Sequence, residues 1–160
     1  MERSPVFEIP SGSDWAEILR LANASVADVP GAGPQDEWLA NRRSFAEAHA
    51  SAGGVQRHFV ARDASGRVRG YGAVEHDPQA PEDAFRLFVV TEPSDLGSVG
   101  ARILGHALEA LADLGARSAW FTEYAADSRL VGFVRGHGFE EARRFDWRGA
   151  ELLVLEKKLV

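Results

Sequence analysis

The stretch that decides the fold runs from Phe85 to Leu114, FRLFVVTEPSDLGSVGARILGHALEALADL. Its first six residues form an apolar, valine-ending run of the kind that fills a central strand. From Val99 onward, Val99, Ile103, Leu104, Ala107, Leu108, Leu111 and Leu114 recur near a period of 3.6 and mark one helix face. Gly115 then stops that helix as a left-handed cap would. Between strand and helix lies a loop carrying Pro93, Gly97 and Gly100. Such a loop offers free backbone N–H groups and the positive end of the helix dipole, and its glycines allow close approach, so it suits a phosphate. A strand over Ser118–Tyr124 follows, and a right-handed parallel crossover is expected to join it to the first.

Outward from this unit, Phe7–Ile9 reads as a short strand. Asp14 with Glu17 suggests a capping box opening a helix with Trp15, Ile18, Leu19 and Ala22 on one face. The segment 29–34, Val-Pro-Gly-Ala-Gly-Pro, breaks regular structure and reads as a loop inside the domain. A second helix is expected from Gln35 to about Ala50, with Trp38, Leu39, Arg42 and Phe45 at helical spacing. A hairpin follows, His58–Arg62 and Arg67–His76, turned by Asp63-Ala-Ser-Gly66. Asp127–Arg135 reads as a short helix ended by Gly136, and Phe139–Arg148 with Glu151–Leu159 as a closing hairpin joined at Gly149. The order β α α β β β α β α β β predicts one α/β (α+β) domain over residues 1–160. Its mixed sheet should hold about six or seven strands, flanked by about four helices.

With 160 residues, 45% hydrophobic and 26% charged, the chain is large enough for a packed core. Its apolar runs, such as Leu87–Val90 and Leu152–Leu155, fall far short of the roughly 20 residues a membrane span needs. The start, MERSPVFEIP, lacks the layout of a secretory signal, so a cytoplasmic protein with no membrane partner is expected. The absence of cysteine removes disulfides, thiolate zinc sites and a cysteine nucleophile, and no metal is expected. A net charge of −6 argues against nucleic acid, which needs a basic face, and is compatible with a cationic amine.

Over about residues 7–160 the chain resembles the GNAT superfamily of acyl-CoA N-acyltransferases in element order, element length and motifs. In that family a valine-ending strand precedes a loop of the form Arg/Gln-x-x-Gly-x-Gly/Ala and a leucine-rich helix. Val90 matches the strand end, Gly100 the last glycine, and Ile103-Leu104 the aliphatic pair that follows. The hairpin HFVARDASGRVRGYGAVEH (58–76) is similar to the family's second and third strands, and DSRLVGFVRGHGF (127–139) to its late helix and Gly-Phe.

The resemblance implies a sheet splayed into a V between the fourth and fifth strands. Acetyl-CoA or another acyl-CoA would lay its pantetheine arm along the backbone of Phe88, Val89 and Val90. The pyrophosphate would sit on the amides of Leu96, Gly97, Ser98, Val99, Gly100 and Ala101. Two positions depart from the motif: Asp95 stands where Arg or Gln is usual, and Ser98 replaces the first glycine. Asp95 would either face the pyrophosphate, weakening binding, or turn inward and cap the helix. Arg135 is the candidate for the adenosine 3′-phosphate.

The implied chemistry is acyl transfer to an amine. The family's carboxylate base on the fourth strand falls near Ala84, beside Glu82 and Asp83, and its tyrosine acid falls on Val134. Substitutes are Glu123 and Tyr124 at the end of the fifth strand, and Glu75 and His76 at the end of the third, near the expected acceptor mouth. Trp38, Phe45, Phe145 and Trp147 could wall the acceptor pocket. Three readings follow: an N-acyltransferase acting on a small-molecule amine, a non-catalytic acyl-CoA or small-molecule binding module of the same fold, and a homodimeric subunit paired through the C-terminal hairpin.

Overall fold

The computed structural model describes residues 5–50 and 56–159. Its elements follow the expected order: β1 (Val6–Glu8), α1 (Asp14–Ser25), α2 (Asp36–Ala50), β2 (Arg57–Arg62), β3 (Val68–Glu75), β4 (Ala84–Thr91), α3 (Ala101–Asp113), β5 (Ser118–Tyr124), α4 (Ser128–Gly136), β6 (Glu140–Trp147) and β7 (Ala150–Lys158). The strands form one sheet in the order β1-β2-β3-β4-β5-β7-β6. All neighbours are antiparallel except β4 and β5, which run parallel through the α3 crossover. No helix of the described residues is long and apolar enough to cross a membrane.

Strand alternation sends side chains to two cores, one on each face of the sheet. Phe85, Leu87 and Val89 of β4 join Ala119 and Phe121 of β5 under Ile103, Leu104, Ala107 and Leu111 of α3. The opposite face carries Val60, Tyr71, Ala73, Phe88 and Val90 beneath Trp15, Ile18, Leu21 and Ala22 of α1, with Trp38 and Leu39 of α2 packed alongside. Leu21 therefore takes the buried place that the helical spacing assigned to Leu19.

Three local expectations are corrected. Asp14 is not the cap of α1. Its carboxylate accepts from the Ser11 N–H at 2.8 Å and from Arg62 at 2.6 Å, while Asp14 N–H donates to the Ser11 carbonyl at 3.0 Å. The reciprocal half of a capping box thus sits one turn earlier, and Glu17 pairs with Arg20 instead. The segment after β4 is not an open loop: Pro93–Asp95 winds as a 3₁₀ turn and Leu96–Gly100 as a π turn leading into α3. Gly136 belongs to α4, and the left-handed residue that releases the chain is Gly138, at φ +91°.

The closing hairpin turns on Arg148 and Gly149, both at positive φ, as a two-residue type I′ turn requires. Arg148 donates to both carboxylate oxygens of Glu37, at 2.8 and 3.1 Å, and ties this tip to α2. Trp147 lies exposed at the tip under the Arg148 guanidinium.

Gly72 of β3 lies beneath α3, where a Cβ would stand 2.5 Å from Ile103 and 2.6 Å from Phe59. Gly105 of α3 has open space at the same test. Urea denaturation should show Gly72→Ala destabilised by about 1–3 kcal/mol from overpacking. Gly105→Ala should be neutral or stabilised by up to about 1 kcal/mol.

Candidate functional site

β4 and β5 are in register at only three pairs, Ala84↔Ser118, Phe85↔Ala119 and Arg86↔Trp120. Beyond them the strands part, while β4 stays paired with β3 as far as Gly70↔Thr91 and β5 with β7 as far as Tyr124↔Leu152. Each flanking pair is held, so the gap between β4 and β5 is a rigid V. Leu87–Thr91 and Phe121–Tyr124 line it without pairing to one another. Backbone polar groups on two facing strand edges need a partner, and an extended amide-bearing chain could supply one.

At the mouth of the V, Val89, Thr91, Pro93, Leu96, Leu130 and Arg129 enclose a narrow crevice with Ser25 and Asp127. Gly97 and Ser98 are exposed, Leu96 and Val99 are partly covered, and Gly100 is buried against the Leu96, Val89 and Phe133 side chains. A Cβ at Gly97 would meet nothing within 4 Å, whereas one at Gly100 would touch Leu96 at 3.0 Å. The two glycines of the turn thus serve different ends: Gly97 keeps an approach open, and Gly100, the last of the motif, lets the turn pack.

Asp95 does not cap the helix as one expectation had it. Its carboxylate does not stand alone, because Arg69 at the start of β3 donates to it at 2.9 Å. Glu92, two residues after Val90, is held likewise by Arg20 of α1 at 2.9 Å. Both acids of the turn are thus ion-paired, which weakens the repulsion they would exert on an anion. Arg135 is exposed in the last turn of α4.

The substitutes for the missing acid and base separate in space. By alternation Glu123 shares the α3/α4 face of Ala119 and Phe121, whereas Tyr124 points to the α1/α2 face. There the Tyr124 hydroxyl donates to the Ala32 carbonyl at 3.4 Å. It borders a cleft of about 370 Å³ with Pro30, Ala125, Ala126, Arg144, Ala150 and Glu151. Glu123 keeps some accessible surface but is densely surrounded by protein, and burial, reinforced by the neighbouring Asp127 charge, pushes its carboxyl up to about 8. Asp127 is itself buried and caps α4 by accepting from the Leu130 N–H. His76 does not join them: it sits beyond the paired end of β4, its ring against Phe85 and its Nε2 3.0 Å from the Pro81 carbonyl.

On the α1/α2 face where the V begins, Glu75 stands in a group whose two arginines sequence reasoning missed. Arg42 of α2 is buried with its Nε 3.1 Å from Glu75, and its guanidinium lies 4.4 Å from the centre of the Phe88 ring. Arg86 of β4 covers the same ring at 4.8 Å. Burial raises the Glu75 carboxyl to about 7, against the pull of Arg42 and Arg86. Nearby, the His58 Nδ1 and the Tyr71 hydroxyl are 2.6 Å apart in full burial. The available signal was Arg86 itself, an ionisable residue inside the otherwise apolar strand FRLFVV. Among the described residues, no three histidine or acidic side chains converge as a metal-binding group.

Neither a protein-family model nor a curated protein matches this chain by sequence. Solved structures do match it in shape. An N-acetyltransferase from Staphylococcus aureus Mu50 superposes with a TM-score of 0.76 at 16% identity, covering 99% of this chain and 100% of that one. A GNAT superfamily phosphinothricin acetyltransferase from Sinorhizobium meliloti, in complex with AcCoA, gives 0.72 at 17% identity over 98% and 89%. A spermidine N-acetyltransferase from Vibrio cholerae, in complex with CoA and spermine, gives 0.72 at 15% identity over 97% and 95%.

The raised carboxyls have a consequence for stability. Folding lifts Glu123 to about 8 and Glu75 to about 7 from an ordinary value of 4.5. The folded state therefore holds more protons than the unfolded one between those limits. Their stabilising contribution is complete below about pH 4.5 and is lost as pH rises through 7 and 8. The urea midpoint should fall from pH 5 to pH 8.5, and Glu123→Gln should flatten the upper part of that slope. A midpoint independent of pH in both proteins contradicts the assignment.

Proposed function

This chain has the fold of the GNAT acetyltransferases, and from that premise we propose that it is an acyl-CoA-dependent N-acyltransferase. It would move the acyl group of acetyl-CoA or a related thioester directly to a small primary amine in a ternary complex. The observation that carries the reading is the V itself. Two parallel strands lose their pairing after Arg86 and Trp120, above a turn whose Gly97 is open to approach. The pantetheine arm carries amides that suit the bare edge of Phe88–Val90. The pyrophosphate suits the turn at Leu96–Ala101, where Arg69 and Arg20 already pair with Asp95 and Glu92.

In the reaction the amine nitrogen attacks the thioester carbonyl carbon. A C–N bond forms, the C–S bond breaks, the nitrogen loses a proton and the departing thiolate gains one. Glu123 faces the α3/α4 side of the V, and its carboxyl, near 8, is protonated at neutral pH. That state suits a general acid, which holds its proton until the thiolate leaves. Tyr124, on the other face, belongs to the wall of the acceptor mouth. The family's tyrosine position, Val134, is fully buried in the α3/α4 core, so it can supply no acid.

Acetyl-CoA should bind in a calorimetric titration, and thiol release should follow when a suitable amine is added. No binding at millimolar concentration sinks the reading, and binding without turnover across a broad amine panel favours the non-catalytic module. With an active amine, kcat should be flat below pH 8 and fall above it, as Glu123 loses its proton. Glu123→Gln should lower kcat by about a hundredfold, abolish that pH limb and leave acetyl-CoA affinity unchanged. An unaltered pH profile in the variant removes Glu123 from the chemistry.

A further inference from the structure

Every described arginine except one either holds a carboxylate or lies exposed to solvent. The exception is Arg86. It sits mid-strand in β4, largely covered, with its Nε fully shielded from solvent and without a hydrogen-bond partner. Among the described residues no carboxylate lies within the 4.0 Å of an ion pair. Its near neighbour Glu75 stands directly across the β3–β4 ladder, yet that carboxylate is engaged by Arg42 at 3.1 Å. Two guanidiniums thus share one Phe88 ring and one acid.

A shielded donor left without a hydrogen-bond partner is costly, and a folded protein rarely keeps one without use. Burial and the nearby Arg42 charge both oppose the cationic form of Arg86, while Glu75, Glu123 and Asp77 favour it from a distance. Of these, Glu75 is the single acid adjacent to two guanidiniums, Glu123 is raised to about 8, and Asp77 is exposed in the loop beyond β3. The local balance is cationic, although the chain as a whole carries −6. Arg86 also marks the last register pair before β4 and β5 part, on the α1/α2 face of the sheet. The guanidinium therefore stands on the α1/α2 side of the base of the V.

We propose that the acceptor amine carries an oxyanion, a carboxylate in the first instance, and that Arg86 binds it at the base of the V. This rests on the acyltransferase reading for the word acceptor. The planar, fork-like donor set of arginine matches a carboxylate, and the charge-assisted bonds it forms are the strong ones. The substrate class is therefore amino-acid-like, in contrast to the cationic amine that the net charge alone suggests. Arg42 and Phe88 position Arg86, one by repulsion from behind and the other by supporting its flat face.

The test is a binding panel on the wild-type protein: L-amino acids, each compared with its C-terminal amide and its decarboxylated amine, by calorimetry in the presence of CoA. At least one acid should bind at millimolar concentration or better and lose about tenfold or more as its amide. Arg86→Gln should erase that difference while acetyl-CoA affinity stays unchanged, and Arg86→Lys should restore part of it. Equal binding of acid and amide, preference for the decarboxylated amine, or no binding by any acid overturns the proposal. A succinyl-CoA titration separates the other source of a carboxylate. If succinyl-CoA outbinds acetyl-CoA and Arg86→Gln removes the gain, Arg86 reads the acyl chain and the acceptor assignment fails. Failure of acetyl-CoA to bind, with the acid preference intact, counts against the acyltransferase reading alone.

Discussion

The structure depends on the loss of backbone pairing between β4 and β5 after Arg86↔Trp120. Two parallel strands that begin in register would ordinarily zip to their ends, because each unpaired N–H and C=O in a covered site costs free energy. Here each strand is fixed on its far side, β4 by β3 and β5 by β7. The parting therefore cannot be repaired by sliding one strand toward the other. The edge it leaves is built from main chain, so the hydrogen bonds it can offer do not depend on the side chains that a motif records.

Charge placement follows from that edge. The turn after β4 carries two acids where an anion is expected to dock, and each is held by an arginine from another element. Deeper in the V the pattern reverses. Arg42 and Arg86 lie under cover with a single adjacent acid, and Glu75 and Glu123 are driven toward neutrality by burial. Outside, acids dominate; at the base of the V, cations do. The chain's net charge is thus a poor guide to the charge that a substrate would meet.

Much of the fold was legible in the segment 85–114, because a buried strand and an amphipathic helix have periods that do not resemble one another. The glycine turns at Gly115 and Gly149 were legible for the same local reason, each sitting at a positive φ. What escaped depended on partners distant in sequence. Asp14 was read as a cap, yet Arg62, 48 residues away, draws its carboxylate. Asp95 was weighed between facing an anion and capping α3, while its actual partner is Arg69 on another strand. Glu123 and Tyr124 are both candidates at the end of one strand, yet strand alternation sends the two to opposite faces. Arg86 stands out in sequence only as an ionisable residue inside FRLFVV; that its Nε lacks a partner depends on the fold.

The central claim is that the open edge of β4 binds the acyl-CoA arm through its backbone. The most direct measurement is amide hydrogen exchange of the Phe88–Val90 segment with and without acetyl-CoA. Added protection there and at Leu96–Ala101, with little change on the well-paired β2, is the predicted result. Unchanged exchange at β4 under saturating acetyl-CoA would contradict it.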